Sequence, residues 1–193
     1  MRTYEQRKRS KAPLVIAIVI VASALLTVAG FFGYNEYINN TYPLKYQAYV
    51  EKYAAANHLD KYLVYAVIKT ESGFDPSAES AVGARGLMQI MEDTFDWIKF
   101  ISDDDDAVYY DMYDAETNIR YGCRLLGYLM EEFGDVETVA AAYHAGRGNV
   151  NEWLGDKRYS SDGVHLDTIP ISDTAHYVDK ITKAMDKYIK IYS

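Results

Sequence analysis

A single glutamate, Glu71, stands where an amphipathic stretch of the sequence passes into a segment rich in glycine and serine. It follows Leu63 by eight residues and Val67 by four, so a helix would place it beside its own apolar stripe. A carboxyl group that apolar neighbours desolvate keeps its proton to higher pH and can act as a general acid. Most glutamates are solvated surface residues, but loops next to rigid elements carry functional groups disproportionately often. We therefore treat Glu71 as the candidate catalytic residue.

Other residue types that carry chemistry are sparse or unsuitably spaced. One cysteine, Cys123, excludes an intramolecular disulfide framework and a multi-cysteine zinc site, and it fits best as a small core residue. The four histidines show no H-E-x-x-H spacing. The acidic run at 103–106 lacks the glycine and the final glutamate of an EF-hand loop, which favours a solvated loop over a calcium site. The sequence thus predicts neither a metal ion nor a cofactor.

Length and composition fit a globular protein of one domain, or of two small ones, at 193 residues. Hydrophobic residues make up 49% and charged residues 25%, which excludes a disordered or collagen-like chain. A net charge of −8 argues against a nucleic-acid partner, because a nucleic-acid-binding domain normally carries a basic face.

The amino-terminal region has the charge pattern of a membrane anchor. Residues 1–12 hold five basic residues and one acidic residue, and the 20 residues from 14 to 33 carry no charge. About 20 apolar residues match a hydrocarbon layer of roughly 30 Å, and a basic flank marks the cytoplasmic side. A cleaved signal peptide is the alternative, since Ala22-Ser23-Ala24 resembles a cleavage site, although it lies inside the apolar run. The predicted organisation is a cytoplasmic basic tail (1–13), a transmembrane anchor (14–33), a juxtamembrane linker (34–42) and one extracytoplasmic domain (43–193).

The rest of the chain shows helical periodicity, apart from one stretch. Residues 72–86 contain three glycines, one proline and several serines, and they predict a loop or short hairpin. Asp60 and Asp135 fit helix N-caps, while Gly134 and Gly146 fit helix ends. The predicted helices cover 44–57, 61–71, 87–100, 114–133, 136–145, 149–154 and 173–191, the last with Val178, Ile181, Met185 and Ile189 facing inward.

Four blocks of sequence stand in a fixed order along this region. They are ESGFDP at 71–76, SAVGARGLMQIM at 80–91, AAYHAG followed by GNV within 141–150, and the pairs IP, DT and YV between 169 and 178. Together they resemble the soluble-lytic-transglycosylase (SLT-type) domain of peptidoglycan lyases. The resemblance covers roughly residues 45–190, and the order and spacing of four separate blocks make it specific.

The resemblance implies a mainly α, lysozyme-like (SLT-type) helical domain. The sequence pattern adds the short hairpin or loop region and the one N-terminal transmembrane helix that precedes the domain. The resemblance also implies a cleft for peptidoglycan glycan strands, which the predicted anchor would place on the cell-wall side of the cell membrane, and it leaves any protein partner unknown. Glu71 matches the family's single catalytic acid. The residues that match cleft positions, where they hold the sugar or the carboxyl group, are Ser72, Met88, Gln89, Tyr143, His144 and Tyr177.

Two positions depart from the family pattern. His144 stands where asparagine is usual, and because histidine can still donate one hydrogen bond, its ring nitrogen would contact the sugar or Glu71. Glu92 stands where proline is common and would begin a helix near the positive end of the helix dipole. Trp97 and Trp153 are expected in the core rather than as sugar platforms.

The implied reaction uses one protein carboxyl group twice. Glu71 would protonate the oxygen between N-acetylmuramic acid and N-acetylglucosamine. As a carboxylate it would then remove the proton of the sugar's 6-hydroxyl as that oxygen closes on C1, leaving a 1,6-anhydromuramyl end. Two alternatives stay open. A hydrolytic muramidase would need a second carboxyl, from Asp75, Glu79 or Asp93. A non-catalytic glycan-binding or scaffold module would keep the cleft, and His144 is the residue that motivates this alternative.

Overall fold

A computed structural model describes residues 12–102 and 106–193. The basic tail at 1–11 and residues 103–105 of the acidic run therefore lie outside the described residues. The chain divides after Pro43 into two compact units.

The first unit is built on one long helix, α1 (Ala12–Thr41). Its large apolar side chains from Leu14 to Phe32 each expose more than half of their surface. In the described part of the chain, α1 is the one helix long and apolar enough to cross a membrane, judged by length and composition. The helix continues through 34–41, so the predicted linker is itself helical almost to its end.

The second unit is mainly α, as predicted. No strand occurs in the described part of this unit, where the loop after α3 forms two isolated antiparallel bridges, from Arg85 to Glu79 and to Ile90. Its elements are α2 (Gln47–Ala56), α3 (Lys61–Glu71), α4 (Glu92–Ser102), a 3-10 helix (Tyr109–Tyr113), α5 (Ala115–Phe133), α6 (Val136–Ala145), α7 (Arg147–Leu154) and α8 (Ser172–Tyr192).

Three aspartates cap helices of this unit, and two of them, Asp60 and Asp135, were predicted as N-caps from the sequence. The side chains of Asp60, Asp114 and Asp135 each accept a hydrogen bond from a backbone N–H two or three residues further on, at 2.8–2.9 Å. Such a bond satisfies one of the donors that a helix leaves unpaired at its start. Gly134, at φ 76°, ends α5 in the left-handed conformation that glycine adopts without steric cost.

One predicted helix begins at the wrong residue. Residues 87–91 are not helical, and α4 starts at Glu92. Gln89 has φ 49°, and the backbone of Ile90 pairs with that of Arg85 through two hydrogen bonds of 3.0 and 3.1 Å. Pairing within the loop therefore overrides the helical pattern of this segment.

Helix α3 forms the centre of the core. Its residues from Tyr62 to Ile68 are all buried, and it packs against α8, which in turn packs against α6. Cys123 is buried in α5, where desolvation raises its pKa to about 12, in agreement with its predicted place in the core. Val178 and Ile181 of α8 face the core as predicted, whereas Met185 and Ile189 are only partly buried. Glu71 thus ends a helix whose middle turns are fully buried, and its own side chain is partly exposed.

Candidate active site

The carboxyl group of Glu71 lies at the end of α3, in surroundings that favour its neutral form. Desolvation by burial raises the pKa of Glu71 to about 7, although a hydrogen bond from Tyr177 acts in the opposite direction. The hydroxyl of Tyr177 donates to Glu71 Oε1 over 2.7 Å. A carboxyl with this pKa is divided between acid and base near neutral pH, so it can both give and take a proton.

Tyr177 reaches Glu71 from α8, 106 residues further along the chain. Its side chain is buried, and burial together with the charge of Glu71 raises the pKa of its hydroxyl well above the usual value. The hydroxyl therefore keeps its proton and remains a donor to the carboxylate. This contact follows neither from periodicity nor from local spacing, and only the family resemblance pointed to Tyr177.

Replacing Tyr177 with phenylalanine should raise the pKa of Glu71 further above about 7, because a donor that stabilises the charged form is lost. Carbon-detected NMR titration of the Glu71 carboxyl in the full chain measures this directly. The matched control is Tyr143→Phe, which removes a nearby hydroxyl that bonds to the backbone of Met88 rather than to Glu71. An unchanged titration in Tyr177→Phe would contradict the assigned hydrogen bond.

Ser72 and Gln89 hold the loop that follows α3. Ser72 Oγ donates to the carbonyl oxygen of Leu87 over 2.8 Å. The side-chain amide of Gln89 donates to the carbonyl oxygens of Ala78 and Gly86 over 3.1 and 3.0 Å. Both polar side chains thus tie the two ends of the loop together next to Glu71.

Met88 is held through its backbone on both sides. Its carbonyl oxygen accepts a hydrogen bond of 2.7 Å from the hydroxyl of Tyr143, and its N–H donates to Asn118 Oδ1 over 2.8 Å. The Met88 side chain is fully buried against Gly122, where an added Cβ would lie 2.2 Å from the Met88 sulfur. The structure thus places the Met88 side chain in the core, so that Met88 contributes to the site by positioning this loop.

Asn118 is the residue of this region that sequence reasoning missed. It is fully buried in α5, and its Nδ2 donates to the carbonyl oxygens of Arg85 and Met112, each over 2.9 Å. Gly86 lies against it at φ 73°, where an added Cβ would come within 2.0 Å of Met112 O. The sequence signal that could have identified Asn118 is its place, as a polar residue, on the apolar face of α5.

His144 lies beside Tyr177 on the exposed side of the site. Its ring centroid is 4.6 Å from that of Tyr177, and its Nδ1 lies 3.1 Å from Oγ1 of the buried Thr174. Partial burial lowers the pKa of His144, while the charge of Asp173 opposes this shift. The bonded nitrogen is directed at Thr174 and not at the Glu71 carboxyl. His144 is therefore connected to Glu71 only indirectly, because its ring packs on Tyr177 and the Tyr177 hydroxyl bonds to Glu71.

The three carboxyl groups that could serve as a second catalytic carboxyl are all exposed. Asp75 is exposed, accepts hydrogen bonds from Ser77 and has a lowered pKa for that reason. Glu79 is exposed and pairs with Arg85 over 3.4 Å, and Asp93 lies exposed in the first turn of α4. Among residues 12–102 and 106–193, no three His, Cys, Asp or Glu side chains come together as ligands for a metal ion.

Two cavities share their walls with the site. One, of about 510 Å³, is lined by His144 and Tyr177 together with polar residues of α8. The other, of about 270 Å³, is lined by Tyr143 and by Trp97. Trp153 is buried as predicted, but the prediction of a core position is wrong for Trp97, which is partly exposed on α4.

Comparisons with known proteins identify the family of the domain. The family model for the transglycosylase SLT domain matches residues 48–164. The chain is 32% identical over 173 residues to soluble lytic murein transglycosylase of Escherichia coli K12, covering 88% of this chain and 26% of the relative. It is 29% identical over 171 residues to membrane-bound lytic murein transglycosylase C of Haemophilus ducreyi, covering 76% and 46% respectively.

Solved structures show the same architecture. An inactive mutant of lytic transglycosylase Slt from Pseudomonas aeruginosa matches with a TM-score of 0.71 and 28% identity, over 79% of this chain and 25% of that one. The 70-kDa soluble lytic transglycosylase of Escherichia coli matches with a TM-score of 0.70 and 29% identity, over 80% and 25%. These likenesses confirm the lysozyme-like (SLT-type) helical fold. The chain spans about a quarter of the length of the first of these relatives and of both solved structures.

Proposed function

Since the chain belongs to the transglycosylase SLT domain family, we propose that it is a lytic transglycosylase of peptidoglycan glycan strands. It cleaves the β-1,4 bond between N-acetylmuramic acid and N-acetylglucosamine and leaves a 1,6-anhydromuramyl end. The observation that carries this proposal is the partly buried Glu71, with a pKa of about 7, hydrogen-bonded to Tyr177.

One carboxyl group suffices for this reaction because the substrate supplies the nucleophile. Glu71, protonated, gives its proton to the glycosidic oxygen as the bond from that oxygen to C1 breaks. The resulting carboxylate takes the proton of the 6-hydroxyl on the same sugar, and O6 bonds to C1. Glu71 ends protonated and no water is consumed, whereas the usual glycosidase employs a second carboxyl. An intramolecular attack has effective molarities that can reach about 10⁵ M or more, which compensates for the missing second group.

The surrounding residues divide into three proposed roles. Tyr177 steadies the carboxylate form of Glu71 between the two proton transfers by donating to Oε1. His144, exposed beside Tyr177, is placed to contact the sugar. The residues that shape the cleft wall and hold the loop are Ser72, Met88, Gln89 and Tyr143.

Mass spectrometry of the products tests the proposal. The full chain in detergent micelles, incubated with isolated peptidoglycan, should release muropeptides with anhydro ends, each lighter by one water than its hydrolysed counterpart. Reducing ends would identify a hydrolytic muramidase instead. Binding of the glycan without release of fragments would identify a non-catalytic module.

The anchor proposal rests on α1 and on the membrane-bound relatives. The apolar residues of α1 are numerous enough to span a bilayer, and the basic residues before them favour a cytoplasmic amino terminus. The catalytic unit then lies on the cell-wall side of a single-pass protein. A carboxyl-terminal tag should be digested by protease added to wall-stripped cells, and protection of the tag would contradict this orientation.

A further inference from the structure

Thr174 is a buried polar residue to which the proposed reaction gives no role. It lies in the first turn of α8 and exposes 1% of its surface, so its hydroxyl cannot reach water. Its Oγ1 lies 3.1 Å from Nδ1 of His144 in the last turn of α6, and among the described residues this nitrogen is its one hydrogen-bond partner. The position of the proton on the His144 ring therefore decides whether the Thr174 hydroxyl is satisfied.

The Thr174 hydroxyl is the donor in this contact. A hydroxyl has one proton and two lone pairs, and a neutral imidazole has one N–H and one acceptor nitrogen. If Nδ1 carried the ring proton, the hydroxyl would accept that proton, and its own proton would remain buried without an acceptor. If Nδ1 is unprotonated, the hydroxyl donates to it and both groups are satisfied. The proton of the neutral ring then lies on Nε2.

The second nitrogen of His144 is available to a ligand. His144 is exposed and lines the cavity of about 510 Å³ together with Tyr177. Within residues 12–102 and 106–193, the one hydrogen-bond contact of its ring is that of Nδ1 with Thr174. An Nε2–H group can donate to an acceptor oxygen, but it has no lone pair with which to remove a proton.

The surroundings of His144 favour its neutral form. Partial burial lowers the pKa of His144, whereas the charge of Asp173 opposes this shift. Protonation would also place a proton on Nδ1, opposite a hydroxyl that donates to it, so the bond from Thr174 stabilises the neutral ring. Glu71 of α3 bonds to the hydroxyl of Tyr177, on which His144 packs. The other titratable groups that line the cavity lie on α8 and are His176, Asp179 and Lys180.

We propose that Thr174 is a positioning residue that holds His144 as a neutral imidazole with its proton on Nε2, so that His144 donates a hydrogen bond to an acceptor oxygen of the sugar and does not act as a second base. This inference rests on the proposed function for the identity of the ligand. A histidine can thus stand beside Tyr177 without supplying the base that a hydrolytic muramidase needs to activate water.

Nitrogen NMR of the full chain in detergent micelles tests the assigned tautomer without turnover. Two-bond nitrogen–proton correlations of the imidazole ring should show a protonated Nε2 and an unprotonated Nδ1 for His144 near pH 8. The spectrum of His144→Asn identifies the signals of His144 among those of the four histidines. A neutral ring with its proton on Nδ1 would overturn the proposal.

Thr174→Val tests the role of the hydroxyl. The variant loses a bond that stabilises the neutral ring, so the pKa of His144 should rise by roughly 0.4–1.1, the equivalent of one ordinary hydrogen bond. Thr174→Ser keeps the hydroxyl and should retain the parent pKa. The matched control is Thr182→Val, which removes a hydroxyl of the same helix that bonds to the carbonyl oxygens of Val178 and Asp179 and should leave the pKa of His144 in place. An unaltered pKa in Thr174→Val would refute the bond from Thr174.

Kinetics on soluble glycan strands freed of stem peptides separate a donor from a base. His144→Leu should raise KM roughly 2–10-fold with little loss of kcat, because it removes a hydrogen bond made to substrate and transition state alike. His144→Asn keeps an N–H donor and should have a KM closer to that of the parent. A fall in kcat of about 10²–10⁴-fold in both variants would identify His144 as a base and overturn the proposal.

The NMR results also stand apart from the proposed reaction. If the parent chain releases no anhydro products from peptidoglycan, the proposed reaction fails. A protonated Nε2 in that chain, together with a raised His144 pKa in Thr174→Val, would still support the assigned tautomer and the role of Thr174 in holding it.

Discussion

Glu71→Gln should lower the release of anhydromuropeptides from isolated peptidoglycan by at least about 10²–10⁴-fold, the range typical of losing general acid–base catalysis. Glutamine keeps the shape of the side chain and can accept the Tyr177 hydrogen bond, but it can neither give nor take the proton. The assay is the mass-spectrometric product analysis of the full chain, with the parent enzyme alongside. Anhydro products formed at the parent rate would remove Glu71 from the mechanism.

The same variant carries its own control for folding. The pKa of Glu71 in the folded chain, about 7, lies above the about 4.3 of an exposed glutamate, so folding favours the protonated form. That contribution to stability is present below the unfolded pKa and is lost as pH rises through about 7. Thermal midpoints should therefore favour Glu71→Gln over the parent more strongly at pH 8 than at pH 5. If the variant is inactive and yet more stable than the parent at pH 8, its inactivity is due to the missing carboxyl group and not to unfolding.

Asn118→Ala should destabilise the catalytic unit by at least about 2 kcal/mol. The substitution leaves the N–H of Met88 and the carbonyl oxygen of Met112 without a partner, while the carbonyl oxygen of Arg85 keeps its hydrogen bond from the N–H of Ile90. Each buried unsatisfied group costs about 1–3 kcal/mol, against a total stability of about 5–15 kcal/mol for a typical domain. Denaturant unfolding of the full chain in micelles, followed by near-ultraviolet circular dichroism, measures the loss.

Two further variants sharpen this prediction. Asn118→Asp keeps an acceptor for Met88 but cannot donate to either carbonyl, so it should destabilise by a similar mechanism. Asn149→Ala removes an exposed asparagine that bonds only to the carbonyl oxygen of Ala145, and it should change stability by no more than about 0.5 kcal/mol. If Asn118→Ala unfolds at the same denaturant concentration as Asn149→Ala, the stabilising role assigned to the hydrogen bonds of Asn118 is refuted.

The helix boundaries could be predicted from sequence where the signals are local. Asp60 and Asp135 begin helices because a short acceptor side chain can reach its own first turn, and Gly134 ends one because only a few residues tolerate its backbone conformation. Position beside an apolar stripe likewise predicted the desolvation of Glu71. These features depend on neighbours within one or two turns of the chain.

The rest depends on partners that are distant in sequence. Residues 87–91 look helical, but Met88 is held by Asn118 and Tyr143, 30 and 55 residues away, in an extended turn. Trp97 fits an amphipathic helix equally well as a core residue or as a cavity wall, and the neighbouring helices α5 and α6 decide between these. Hydrophobic periodicity describes a single helix or strand. It therefore cannot predict the contacts that a loop makes with a helix distant in sequence.

Because Glu71 and Tyr177 are 106 positions apart in the chain, they are made at different times during synthesis. At about 5–20 residues per second, the ribosome makes Tyr177 roughly 5–20 s after Glu71. Throughout that interval the growing chain lacks α8, the helix that covers α3 and supplies the donor to the carboxyl. A nascent or truncated chain therefore lacks both the packing of α8 on α3 and the Tyr177 donor to Glu71. Glu71 therefore acquires its complete surroundings only when the last helix of the chain has been made and has docked.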